Sequence, residues 1–322
     1  MSDLERPVWV VTNDDDPTAD LVIAELHRRE VPVVRFDSGH FPATLTMSGY
    51  LGNAQGWQGS VRTPSRTSRL DRVRSLYYRR PSGFVFPHLD AEDARFAVSE
   101  ARYGMGGIVS SLPGCLYVNH PNRIGDAEYK PAGLAAAFAS GFDVPPTLVT
   151  NEPERARRFI REHERVLYKP LSTPLYLRDG VSHTASVAPV AVDEIDDAVG
   201  GTMNLFQEII DKVGDVRTTV IGGQVYSVAI TSGLLDWRTD YSAISYTVVD
   251  TPDHIRTALY AYLAHFRLVY GAFDFAVTAN NQWWLLECNP SGQFAWLEPE
   301  TGLPMVATMA DLLEKGELAT WT

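Results

Sequence analysis

Residues 271–304, GAFDFAVTANNQWWLLECNPSGQFAWLEPETGLP, constrain the fold more than any other stretch of the chain. Two apolar runs, 272–279 and 282–288, flank Asn280-Asn281. Asparagine tolerates the left-handed conformation that tight hairpin turns require. With that pair as a two-residue loop, opposite residues carry numbers with a constant sum: Ala279 faces Gln282, Val277 faces Trp284 and Asp274 faces Glu287. Two carboxylates then stand across from each other with β-carbons about 5 Å apart, in strands otherwise rich in Phe, Trp and Leu. Like charges so placed repel, and desolvation raises the cost. A bound divalent cation removes both penalties. Asn289 lies two residues beyond Glu287, so it points to the same face while the strand continues. Asp274, Glu287 and Asn289 form an all-oxygen set that suits Mg²⁺ far better than Zn²⁺. The competing reading is a surface hairpin whose acids face water. The apolar flanks and the E-C-N-P ending favour the metal.

At 322 residues the chain has room for two or three modest domains. Its 45% hydrophobic and 21% charged content is that of an ordinary globular protein. A formal charge of −12 argues against a nucleic-acid partner, because a phosphate backbone normally needs a basic face. Local basic clusters around a nucleotide remain compatible with it. The two cysteines, Cys115 and Cys288, are far apart and lack metal-ligand spacing. Buried free thiols in a reducing compartment are the simplest reading. The start, MSDLERP, lacks the apolar core of a signal peptide, and no apolar run approaches the roughly 20 residues of a membrane span. These features predict a cytosolic protein with no membrane partner, and leave a homodimer open.

Taken in order, residues 8–36 read as strand, helix and strand, with Leu21, Val22 and Leu26 on one helical face. Asp14-Asp15-Asp16 before that helix suits capping better than a metal or ribose contact. Residues 44–62 suggest a small antiparallel excursion, and 73–78 a strand ending in Arg79-Arg80-Pro81. Two arginines at a strand end can grip a carboxylate or phosphate, or simply be solvated. A helix over 90–111 contains Gly104-Met105-Gly106-Gly107, but no strand precedes these glycines as dinucleotide binding requires. A strand over 115–119 follows. Lys130-Pro131 opens a helix that ends at Gly141. A lysine at a helix N-terminus is disfavoured by the dipole, so it points to an anion nearby or to simple exposure. Asn151 is expected to cap a basic helix reaching Glu164. Lys169 sits among apolar neighbours in a strand over 166–171, and lysine is rarely buried unpaired. A strand closes on Glu208, Asp215-Val216-Arg217 follows, and Gly222-Gly223 turns a hairpin. A helix over 255–268 leads into the acidic hairpin.

This order of features resembles the ATP-grasp superfamily over about residues 120–322: a helix-start lysine, a strand lysine, a strand ending Q-E-x-I, a D-x-R pair, then D…E-x-N. Further stretches resemble the microviridin-type (graspetide) peptide maturases of that superfamily. They are Tyr78-Arg79-Arg80-Pro81, Val118-Asn119-His120-Pro121, Tyr129-Lys130-Pro131, the run 144–150 (VPPTLVT), Asp236-Trp237-Arg238, and Asn289-Pro290-Ser291-Gly292-Gln293. The resemblance implies an α/β (α+β) architecture of three parts. These are an N-terminal pre-ATP-grasp domain at 1–120, a central lid subdomain at 121–207 and a C-terminal antiparallel-sheet subdomain at 208–322 carrying the Mg²⁺ site. It implies an ATP-dependent ligase that closes side-chain ester or amide rings in a ribosomal precursor peptide with a leader and an acidic core containing Thr, Ser or Lys. By matching positions, Lys130 and Lys169 contact ATP phosphates. Glu208 with the backbone at Ile209 and Ile210 holds adenine, and Asp215 reaches the ribose. Arg217 meets the phosphates or acyl-phosphate, and Asp274, Glu287 and Asn289 hold Mg²⁺. Arg238, in a maturase-like stretch beside Trp237, is expected to pair with the substrate carboxylate, or else with Asp236 or Asp240 in a surface loop.

One departure stands out. Where many ATP-grasp enzymes follow the strand lysine with a glycine-rich loop, this chain has Leu171-Ser172-Thr173-Pro174-Leu175, and Pro174 supplies no N–H. Two other functions fit parts of the pattern: a ligase acting on free amino acids or a peptide terminus, as in glutathione-synthetase-like relatives, and a silent peptide-binding module. The maturase-like stretches disfavour the first, and the complete D…E-x-N set with both lysines disfavours the second.

Overall fold

The computed structural model describes residues 6–52, 56–172, 175–178, 181–184, 187–231 and 245–318, with 175–178 and 181–184 described by backbone alone. The chain begins with β1 (Val8–Val11), wholly buried, followed by α1 (Pro17–Arg28) and β2 (Val33–Phe36). Helix α1 starts where a proline fits its first turn and where the Asp16 carboxylate accepts the Ala19 N–H. The excursion expected after β2 is the antiparallel sheet of β3 (Thr46–Tyr50), β4 (Gln58–Arg62) and β5 (Thr67–Arg69). Next come β6 (Ser75–Tyr78), the long α2 (Ala91–Val109) and β7 (Leu116–Val118). Strands β1, β2, β6 and β7 make one parallel sheet in the order β2-β1-β6-β7.

Two helices meet at an elbow after that sheet. They are α3 (Pro121–Glu128), which periodicity did not reveal, and α4 (Lys130–Ser140), which ends on Gly141 at φ 97° as a left-handed cap. Then follow β8 (Thr147–Thr150), α5 (Pro153–Glu162), β9 (Val166–Lys169), β10 (Leu175–Arg178), β11 (Val181–Thr184), β12 (Ala188–Pro189) and β13 (Asn204–Glu208). Four of these strands form a second sheet, β12-β9-β13-β8. Asn151 does not cap α5. Pro153 sets the helix start, Glu152 is the capping position, and Thr150 Oγ1 accepts the Glu152 N–H at 3.0 Å.

The third sheet is antiparallel, β16-β15-β14-β17-β18. It comprises β14 (Lys212–Ile221), β15 (Gln224–Thr231), β16 (Ser245–Val249), β17 (Tyr270–Thr278) and β18 (Trp283–Asn289), with α6 (Asp253–Phe266) between β16 and β17. The short α7 (Glu298–Thr301) and α8 (Met305–Lys315) complete the chain. Packing crosses the sequence order. Met305, Met309 and Leu313 of α8 join Val22 and Leu26 of α1 in one buried cluster, and Ser75 Oγ donates to the Leu313 carbonyl at 2.7 Å. Ala136 and Ala137 of α4 pack with Leu259 and Leu263 of α6 and Phe273 of β17. The last helix thus finishes the core of the first sheet, while helices near residue 130 are bound to the third.

Candidate active site

The acidic hairpin forms, but by a different turn. Thr278 N–H donates to Gln282 O at 3.0 Å and Asn281 sits at φ 60°, so Ala279-Asn280-Asn281 is a three-residue loop. A two-residue type I′ turn over Asn280-Asn281 requires two left-handed residues, and a type II′ turn a glycine at the first position; the longer loop requires one left-handed residue, Asn281. The pairing therefore shifts: Val277 faces Trp283 and Phe275 faces Leu285. Continued unchanged, that register turns Glu287 away from Asp274. A bulge at Leu286 reverses the shift, and Asp274 pairs with Glu287 as expected.

Asp274 is flanked on its other side by Arg217 of β14, its register partner. Arg217 Nη1 lies 2.6 Å from Asp274 Oδ1, with both side chains buried. Asn289 Nδ2 is 3.4 Å from Asp274 Oδ2 and 3.3 Å from Glu287 Oε1, so the three residues converge. Lys169 Nζ is 3.5 Å from Glu287 Oε2 and donates to the Leu286 carbonyl at 3.3 Å. The bulge thus also supplies a carbonyl to the site lysine. From the far wall, Lys130 Nζ donates to Leu171 O at 3.2 Å.

Of these groups, Lys130, Lys169, Glu287 and Asn289 line a cavity of about 1110 Å³, together with Arg80 and Glu128, whereas Arg217 and Asp274 are not among its lining residues. Burial lowers the Lys130 pKa, Glu287 opposes that shift, and Lys169 reinforces it. Burial pushes the Glu128 carboxyl up, against the pull of Lys130 and Arg80. The Cys288 thiol, next to the site, is raised well above its usual value by burial. Both cysteines are free thiols.

Other expected residues lie beyond the cavity lining. Glu208 ends β13 with Oε2 2.9 Å from His163 Nδ1, and Ile209 N–H donates to Arg165 O at 2.8 Å. Ile210 follows them. Their neighbour Gln207 does line the cavity. Asp215 is buried, and its carboxylate oxygens lie 2.6 and 2.8 Å from Lys212 Nζ. Arg238 lies outside the described residues. Arg79 and Arg80, read together in the sequence, both line the cavity but differ in burial: Arg80 is exposed, whereas Arg79 is 4% exposed and grips the Asp16 carboxylate.

Asn119 was legible only as part of a motif, yet it joins the first and third sheets. Its Nδ2 donates to Tyr270 O and Pro290 O, both at 2.8 Å. Its Oδ1 accepts the Val269 and Tyr270 N–H groups at 2.7 and 3.0 Å. No periodicity signals such a residue; a polar side chain directly after an apolar strand is the only trace.

The residues fit Mg²⁺. Two carboxylates and a carboxamide converge, and turning the Asn289 amide over presents its oxygen to the same point.

Residues 8–125 match the family model described as the MvdD pre-ATP grasp domain. The macrocyclase MdnC of Microcystis aeruginosa, solved with its precursor peptide MdnA, superposes with a TM-score of 0.86 at 27% identity, covering 96% of this chain and 100% of that one. The chain has the ATP-grasp fold. It likewise resembles a Chryseobacterium gregarium RiPP-associated ATP-grasp ligase, solved with ADP and leader and core peptide, at a TM-score of 0.86 and 26% identity over 96% of each chain. The ATP-grasp ligase PsnB, solved with a minimal precursor, Mg and ADP, shares the fold at a TM-score of 0.76 and 22% identity, over 96% of this chain and 97% of that one. No match is found among curated proteins. The microviridin-type resemblance read from the motifs is thus matched by structure along nearly the whole chain. No helix among the described residues is long and apolar enough to cross a membrane.

Proposed function

We propose that this ATP-grasp protein is an ATP- and Mg²⁺-dependent ligase that activates Asp or Glu side chains of a ribosomal precursor peptide as acyl-phosphates. Thr, Ser or Lys side chains of the same peptide then attack, closing ester or amide rings. The observation that carries this reading is the meeting of Lys130, Lys169, Glu287 and Asn289 on one cavity, in a chain that superposes on a macrocyclase and on a RiPP-associated ATP-grasp ligase, each solved with peptide.

The residues that line the cavity have parts suited to their surroundings, and the others take parts by their place in the motifs. A carboxylate approaching the γ-phosphate of ATP is repelled, and Lys130 and Lys169 place two positive charges where that repulsion develops. Lys169 is held toward Glu287 and Lys130 toward the backbone after β9, so both ammonium groups are oriented before ligand arrives. Asp274, Glu287 and Asn289 would hold Mg²⁺, which when bound neutralises phosphate charge. Arg217, fixed against Asp274, adds charge beside the transferring group. Glu208, Ile209 and Ile210 form the adenine side and Asp215 the ribose side of the proposed nucleotide site. Arg238 is the proposed clamp for the substrate carboxylate. The unit boundaries at residues 120 and 207 belong to the proposal, as does a cytosolic setting that supplies ATP and keeps both thiols reduced.

The test is direct. The protein, ATP, Mg²⁺ and a peptide with a leader and an acidic, Thr/Ser/Lys-bearing core should give product lighter by one water per ring, with ADP and phosphate formed in step. Joining of free amino acids without any peptide cyclisation would replace this reading with the glutathione-synthetase-like one.

A further inference from the structure

After Asn289 the chain makes a turn, Pro290-Ser291-Gly292-Gln293, whose first three residues line the cavity. This turn is gripped from below by groups of the first sheet. Asn119 Nδ2 donates to the Pro290 carbonyl at 2.8 Å, and Arg79 Nη1 to the Gly292 carbonyl at 3.5 Å. Tyr270 OH reaches the same Gly292 carbonyl at 2.7 Å. Gln293 Nε2 donates to Asp16 Oδ1 at 3.3 Å, and Thr18 Oγ1 donates to Gln293 Oε1. On the other side, the Gln293 carbonyl accepts Arg217 Nη2 at 3.2 Å. That is the same guanidinium that holds Asp274.

The turn has no slack against the strand that carries the site. A β-carbon at Gly292 would lie 2.8 Å from Ala272 Cβ and 3.1 Å from Asn289 Cβ. A shift of Gly292 is therefore transmitted to Asn289, because packed groups move together. Underneath lies the Asp16–Arg79 pair, with Nε to Oδ2 at 2.6 Å, Nη2 to Oδ1 at 3.1 Å, and both side chains 1% exposed. A buried ion pair is weak evidence for stability, since desolvation offsets its attraction; fixing one arrangement is a better-attested role.

We infer that the Asp16–Arg79 pair positions the metal-binding end of the hairpin. It sets the 290–293 turn, and through it the direction of Asn289 and of the Arg217–Asp274 pair. Asp16 and Arg79 are positioning residues. Arg79 lines the cavity, but its hydrogen bonds run to Asp16, the Tyr77 hydroxyl and the Gly292 carbonyl, and the effect of the pair on the site is to hold the ligand set in register. This inference rests on the Mg²⁺ site of the proposed function.

The experiment measures Mn²⁺ affinity of the full chain by calorimetry, alongside Mg²⁺-free ATP binding and the melting temperature. Four variants are compared: Arg79→Lys, Asp16→Asn, Gln293→Ala and Ser75→Ala. Groups that orient metal ligands typically command 10- to 100-fold in affinity, so Arg79→Lys and Asp16→Asn should weaken Mn²⁺ binding about tenfold or more. Metal-free ATP binding should stay unchanged. Gln293→Ala leaves the ion pair intact and should weaken Mn²⁺ binding by a smaller factor of about three, the expected share of one contact among several. Ser75→Ala removes a buried hydrogen bond on the same strand, away from the turn, and should lower the melting temperature without moving Mn²⁺ affinity. Unchanged Mn²⁺ affinity in a folded Arg79→Lys or Asp16→Asn protein overturns the inference. If neither folds, unchanged affinity in Gln293→Ala overturns it. An equal loss in Ser75→Ala also overturns it, by showing that general destabilisation suffices. Wild-type protein that binds ATP but no Mn²⁺ overturns the metal assignment itself, a result distinct from any difference among variants.

Discussion

Two aspartate–arginine pairs, Asp16–Arg79 and Asp274–Arg217, lie buried at the same closest separation of 2.6 Å. Their surroundings differ. The oxygens of Asp16 receive Thr12 Oγ1, the Ala19 N–H, both faces of the Arg79 fork and Gln293 Nε2. Burial pushes the Asp16 carboxyl up, but the Arg79 hydrogen bond and charge, with Thr12 and Ala19, outweigh it and bring the pKa down to about 2. Asp274, by contrast, stands between Arg217, Asn289 and Glu287 on the strand beside the cavity. Arg217 Nε is buried with no hydrogen-bond partner among the described residues. Buried polar groups are normally satisfied. The first pair has its bonding complete, whereas the second stands beside another carboxylate and keeps one unfilled donor, as the proposed metal site requires.

The largest effect that would break this contrast is expected at the open pair's side. Glu287→Gln keeps size but removes the ligand's negative charge and one acceptor oxygen, so Mg²⁺-dependent ATP turnover should fall about 100-fold or more, with the melting temperature near the wild-type value. Full turnover in that folded variant would remove the metal assignment.

At the closed pair a loss of stability should accompany the loss of metal affinity. Asp16→Asn should cost about 3 kcal/mol of unfolding free energy at pH 7, because it leaves Arg79 buried without its counter-charge. The folded pKa of Asp16 is depressed, so its contribution is present above the unfolded value near 4 and is lost as pH falls toward about 2. Denaturant titrations at stepped pH should therefore show wild type losing its advantage over Asp16→Asn between about pH 4 and 2. A constant gap across that window would refute the charge argument.

Lys169→Met comes next in size. It should lower ATP affinity about tenfold, the value of roughly one charge-assisted hydrogen bond, with stability unchanged or slightly higher. Equilibrium nucleotide titration against thermal melting separates this from a structural lysine, whose loss would give the reverse pattern.

The smallest change is expected for Arg80, the exposed neighbour of Arg79. Arg80→Ala should leave melting and ATP binding alone and slow peptide cyclisation only severalfold, as expected for a rim charge that steers an acidic peptide. An effect on melting as large as that of Asp16→Asn would show that the two arginines share one role.

The order of elements was largely legible, since buried strands such as 8–11 and hairpins such as 212–231 announce themselves by apolar runs and glycine turns. The opposed carboxylates of Asp274 and Glu287 were legible too, though through a compensation the sequence does not display: a longer turn cancelled by a bulge at Leu286. Helix α3 was missed because only Ile124 and Ala127 of its eight residues are buried, too few to make a period. The His163–Glu208 and Lys212–Asp215 contacts and the split between Arg79 and Arg80 left no local signal.

What the sequence alone determined is what short-range chemistry controls: where most helices start and stop, which strands are apolar, and which oxygen and ammonium groups stand in order along the chain. The tertiary structure decided which of those charges are spent on one another and which remain for a ligand. Arg79 and Arg80 are adjacent in sequence and carry the same charge. Only the packing of α1 beneath the turn after Asn289 makes one a buried, paired strut in the cavity wall and leaves the other exposed, because burial and partner distance depend on chain segments as far apart as residues 16 and 293.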